Sequence, residues 1–136
     1  MMCFMAKRKN NRFPTIIKEE AFTRVGESIV FQIKGGLWRY KNEDRKKIDF
    51  SSRLGAVSYA VAEYIGGNKD NIRRVDDSLG KHKNDAMFHT HFLKEAHKRK
   101  DKDAIILYQT RLELSQVGWE NALRELKELS KAMNIV

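Results

Sequence analysis

With one cysteine among 136 residues, this chain cannot close an internal disulfide or build a cysteine-based zinc site. Long apolar runs are missing too: no stretch approaches the roughly 18–20 uncharged residues of a membrane span. The opening Met1-Met2-Cys3-Phe4-Met5 is too short for the apolar region of a secretory signal and has no small-residue cleavage site. A cytoplasmic setting is expected, in a virion or host cytoplasm if the chain is viral. Catalytic motifs are absent as well. Gly35-Gly36 and Gly66-Gly67 begin neither a phosphate loop nor a dinucleotide fingerprint. No serine sits in a Gly-x-Ser-x-Gly elbow, and Cys3 has no histidine near it in sequence. The adjacent carboxylates Glu19-Glu20, Glu43-Asp44 and Asp76-Asp77 read as solvated surface. The expectation is a protein without catalysis and without a cofactor.

All four histidines fall between residues 82 and 97, yet helical spacing does not gather them. On a helix, His82 and His89 sit about 10 Å apart along the axis, and His89 and His91 about 200° apart around it. Asp85 with His89, and His91 with Glu95, each supply two ligands, whereas a structural zinc takes four. No metal site is expected. His82 and His89 read instead as polar members of a helix seam, with His91 and His97 solvated. A buried imidazolium is costly, so protonation near pH 6 is expected to weaken that seam or a partner contact.

What the chain has in excess is positive charge, +9 in net, which favours polyanionic partners. Residues 1–49 carry twelve basic and six acidic side chains, and residues 69–100 carry nine and five. Residues 101–136 carry five and six, so the last segment is nearly neutral. Residues 1–12 form a basic arm whose Lys7, Arg8, Lys9 and Arg12 lack any apolar periodicity. Pro14 keeps the chain extended where the fold begins.

The pattern predicts an α+β fold: a small antiparallel β-hairpin or sheet packed by one short helix, then a long antiparallel αα-hairpin. Residues 13–68 make the α+β unit. Within it, a hairpin over 28–41 is read from two apolar-rich runs around Gly35-Gly36, a two-residue turn signal. That register sets Ile33 opposite Trp38 and Phe31 opposite Tyr40, with Lys34, Arg39 and Lys41 on the other side. Lys47–Phe50 adds a short third strand. Ser51 or Ser52 caps a helix over 52–65, ended by Gly66-Gly67, and that helix covers the apolar side of the hairpin.

Residues 69–136 change to heptad spacing. One lane runs Val75, Leu79, His82, Ala86, His89, Leu93, Ala96; the other runs Ile105, Tyr108, Leu112, Ser115, Trp119, Ala122, Leu126, Leu129, Met133. Helices over about 71–98 and 103–134 are expected, joined at a polar bend capped by Asp101 or Asp103. Gly80 is a potential break in the first.

Two functions follow from this reading. The first is docking on nucleic acid, or on an assembly containing it, through phosphate-backbone contacts without sequence specificity. Its candidate residues are Lys7, Arg8, Lys9 and Arg12 in the arm, Arg45, Lys46 and Lys47 before the third strand, and Lys94, Lys98, Arg99, Lys100 and Lys102 near the bend. The second is a structural role, as a phage accessory protein or another component of a large complex, held by helix–helix contacts with other subunits or a second copy. Phe88, Phe92, Leu114, Trp119, Leu126 and Leu129 are its candidate contacts, because the helices carry more apolar surface than two rods can cover in each other.

Overall fold

The computed structural model describes residues 13–19 and 21–135; the predicted arm with Lys7, Arg8, Lys9 and Arg12 lies outside them. The architecture is α+β. Five antiparallel strands stand in chain order: β1 (Ile16–Lys18), β2 (Thr23–Val25), β3 (Ser28–Gln32), β4 (Trp38–Lys41) and β5 (Lys47–Phe50). Three helices follow: α1 (Arg53–Ile65), α2 (Lys69–Arg99) and α3 (Lys102–Ala132).

The β3–β4 register differs from the sequence expectation by one residue. Ile33 N–H donates to Leu37 O at 2.9 Å, so the connection holds three residues, Lys34, Gly35 and Gly36. Both glycines take positive φ, +83° and +78°. Val30 therefore pairs with Tyr40, Phe31 with Arg39 and Gln32 with Trp38; the expected Ile33–Trp38 and Phe31–Tyr40 pairs do not form. Because side chains alternate, the slip turns β3 over. Val30 goes to the core while Ile29 and Phe31 face away from it.

The inner face of the sheet, with Val25, Val30, Tyr40, Ile48 and Phe50 all buried, receives α1. That helix starts where Ser52 Oγ accepts from Gly55 N–H at 2.9 Å and ends at Gly66 in the left-handed region. Its Ala56, Ala60 and Ala62 let it settle close. Tyr59 sits edge-on to Tyr40 at 5.3 Å and tilted on Phe50 at 5.1 Å. The Tyr40 hydroxyl donates to Glu63 Oε1 at 2.7 Å, and burial pushes the phenol well above its ordinary range.

At the bend, Asp101 Oδ1 accepts from Ala104 N–H at 3.1 Å and caps α3. The base of the α2–α3 hairpin belongs to the same core as the sheet. Ile72, Val75 and Leu79 from α2, Ala122 and Leu126 from α3, and Ile135 beyond it join the sheet and α1 in one cluster. Between α1 and α3 the Ser58 and Ser130 hydroxyls meet at 2.6 Å, both buried. Ser130 in turn donates to Leu126 O at 2.8 Å, so Ser58 is the donor to Ser130.

One carboxylate ties these parts together. Asp76, expected with Asp77 as solvated surface, is fully buried. It accepts from Ser51 N–H at 2.7 Å, Ser52 N–H at 3.1 Å and Ser52 Oγ at 2.7 Å. Gly80 does not break α2: it closes against Ser51, whose side chain a Cβ at this position would strike. A position read as a break is a close approach.

Candidate nucleic-acid and partner interfaces

The two predicted basic clusters within the described residues lie at opposite ends of the molecule. Arg45 and Lys46 are exposed in the β4–β5 turn and Lys47 opens β5. That turn sits beside the start of α2, since Asn42 Nδ2 donates to Glu63 Oε1 at 3.4 Å and Lys69 pairs with the same carboxylate at 3.3 Å. From there α2 runs 31 residues, about 45 Å, to the bend. Lys94, Lys98, Arg99, Lys100 and Lys102 are all exposed around that bend. Lys98 lies 3.5 Å from Glu95, and Asp101 and Asp103 further dilute the charge.

The outer face of the sheet adds to the turn cluster. Arg39 and Lys41, read from the sequence as lying on the polar side of the hairpin, stand on it, together with Arg24 and Phe22, which no sequence signal revealed. α1 and the base of α2 pack on the inner face; among the described residues no helix covers the outer one. Across that outer face one register row crosses all five strands: Ile17, Arg24, Ile29, Lys41 and Lys47. At about 4.8 Å per strand the row spans about 19 Å. Lys41 and Lys47 stand directly opposite each other, a like-charge pairing that destabilises a sheet. No ion pair joins either to an acid among the described residues. In the next row Phe31 lies beside Arg39, which holds Asp49 through two bonds of 2.8 and 3.1 Å. Those bonds keep the Asp49 carboxyl below its ordinary range. Arg39, expected to extend the polar side of the ribbon, is thus largely neutralised. Phe22 completes the surface, 5.5 Å from the Arg24 guanidinium.

The expected partner contacts separate into three groups. Leu126 is fully buried in the chain's own core, so it does not reach a partner, whereas Leu129 packs against that core and is half-buried. Phe88, Phe92 and Leu114 are exposed by 61%, 41% and 66%. These belong to one flank of the hairpin, where His82, Asp85, His89, Arg111, Leu114 and Ser115 line a groove. Trp119 belongs to the other flank, beside Met87, Leu112 and Gln116.

His82 and His89 lie in the seam as expected, and His89 Nδ1 is buried there with no hydrogen-bond partner. Among the described residues no group of three or more His, Cys, Asp or Glu is placed to hold a metal ion. Nor is any described helix long and apolar enough to cross a membrane. No family model, curated protein or solved structure matches this chain, so the interfaces rest on geometry alone.

Proposed function

We propose that this is a non-catalytic docking protein of the cytoplasm or of a virion that holds nucleic acid by its phosphate backbone, using the uncovered face of the sheet. The observation that carries the reading is the row Arg24–Ile29–Lys41–Lys47, in which three cations share the outer face and, among the described residues, none forms an ion pair. Asp49 on the same face is held by Arg39 and also acts on Lys47. Cation spacing of one and two strand widths, about 5 and 10 Å, brackets successive phosphates of a strand laid across the sheet. Phe31 and Phe22 beside the row offer faces on which unpaired bases stack. Arg45 and Lys46 extend the same edge, whereas the cations of the bend form a second, separate contact.

Fluorescence anisotropy of a labelled 20-nucleotide single strand tests this. Four phosphate contacts predict about 50-fold weaker binding when salt rises from about 50 to about 200 mM. Replacing Lys41 and Lys47 together by Gln is expected to weaken binding more than replacing Lys98, Arg99 and Lys100. Binding that ignores both salt and the Lys41/Lys47 change would sink the reading.

A second reading has its own support. Eight of the large exposed apolar side chains, among them Met87, Phe88, Ile106 and Leu114, stand on the part of the hairpin that extends beyond the core. A rod with apolar flanks fits an assembly component whose hairpin packs against protein.

A further inference from the structure

The flank that carries Phe88, Phe92 and Leu114 has a charge pattern that selects its occupant. On α2, Asp85, Phe88 and Phe92 follow the 3–4 spacing of one helix face; on α3, Leu107, Arg111 and Leu114 do the same. Phe92 meets Tyr108 at 5.3 Å and Arg74 reaches Glu125 at 2.9 Å, which fixes how the helices stand side by side. Arg111 therefore lies level with His89, one turn and about 6 Å nearer the bend than Asp85. Asp85 and Arg111 line the same groove, yet no ion pair joins them. From this we infer that the occupant of this flank is a second copy of the chain, laid antiparallel to form a four-helix bundle.

The surface is self-complementary about a two-fold axis that crosses the hairpin midway between the levels of Asp85 and Arg111. That axis brings Asp85 of each copy to the level of Arg111 in the other, as an isologous contact requires. It also brings Phe88 and Leu114, 61% and 66% exposed in the single chain, to within about 3 Å of the levels of their own copies, while Phe92 and Leu107 meet the other copy near the level of its His82. The parallel alternative misaligns the charges and sets Lys98, Arg99 and Lys100 of both copies against each other. The antiparallel one sends the two bends, and the two sheets, to opposite ends. The inference rests on the assembly reading and extends it by naming the partner.

Light scattering on the full chain tests it, with about 300 mM salt and no nucleic acid present, so the result does not depend on the sheet-face reading. The expected mass is twice the chain's 15.9 kDa. Both Phe88→Lys and Leu114→Lys alter exposed positions and are expected to weaken the dimer roughly 100-fold with an unchanged circular dichroism spectrum. Asp85→Arg alone and Arg111→Asp alone are each expected to weaken it, and the two together to restore it. A monomer at about 100 μM overturns the inference, as does a dimer indifferent to Phe88→Lys and Leu114→Lys, or a charge swap that fails to rescue.

Discussion

Glu63 gathers three donors from three parts of the chain: the Tyr40 hydroxyl, Asn42 and Lys69. Burial alone pushes its carboxyl upward, but the bonds to Tyr40, Lys69 and Asn42 outweigh it and leave the group below its ordinary value of 4.5. A carboxyl lowered by folding stabilises the fold above its unfolded pKa, and the gain disappears as pH falls through the folded value. Glu63→Gln is therefore expected to cost about 1 kcal/mol at neutral pH. Urea denaturation should show that difference shrinking as pH falls below about 4.5. His89 presents the reverse case, a polar atom buried without compensation. His89→Leu keeps a similar volume and removes the orphaned nitrogen, so a gain of about 1 kcal/mol is expected, read as a higher melting temperature at pH 7.5.

Between elements, Asp76 is the joint. One carboxylate on α2 satisfies the Ser51 and Ser52 backbone at the exit of β5 and the start of α1, and Gly80 lets α2 come close enough for it to do so. Burial is the larger influence on this group and raises its carboxyl above the ordinary range, against hydrogen bonds that pull the other way. The folded chain consequently holds the Asp76 proton more tightly than the unfolded one, and the stability from this group declines as pH rises between the two values. Asp76→Ala leaves buried donors without an acceptor. A loss of about 2–4 kcal/mol is expected by chemical denaturation, with Ser58→Ala, at a single buried hydroxyl contact, costing less. The joint was hidden from the sequence. Asp76 next to Asp77 and Gly80 inside a helix both look like surface or breaks until a second element packs on them.

For the whole molecule, the shared core implies a single unfolding event. Leu126 and Val75 from the hairpin touch the same cluster as Phe50 and Val30 from the sheet. In a Trp119→Phe background, Trp38 reports on the sheet alone while far-UV circular dichroism reports on the helices. The two denaturation curves are expected to coincide. Leu126→Ala is expected to shift both together by about 3 kcal/mol; separate transitions would mean the sheet unit and the hairpin unfold independently.

Local rules were enough for α1, α2, α3 and β5. A Ser52 cap, the Gly66 stop, the Asp101 cap and the heptad lanes act within a few residues, so their physics is written along the chain. β1 and β2 escaped because three residues are too few to display an alternation, although Val25-Gly26-Glu27-Ser28 does carry a two-residue turn with Gly26 at φ +60°. The β3–β4 register depended on whether the loop took two residues or three. Both turns are open to Gly35-Gly36, and the burial of Val30 against α1 decides between them. Composition and periodicity determined an α+β chain with a long helical hairpin and an excess of cations. Only the tertiary structure decided which cations share a surface, that Leu126 serves the core, and that Phe88, Phe92 and Leu114 remain uncovered, because each depends on distances between segments far apart in the chain.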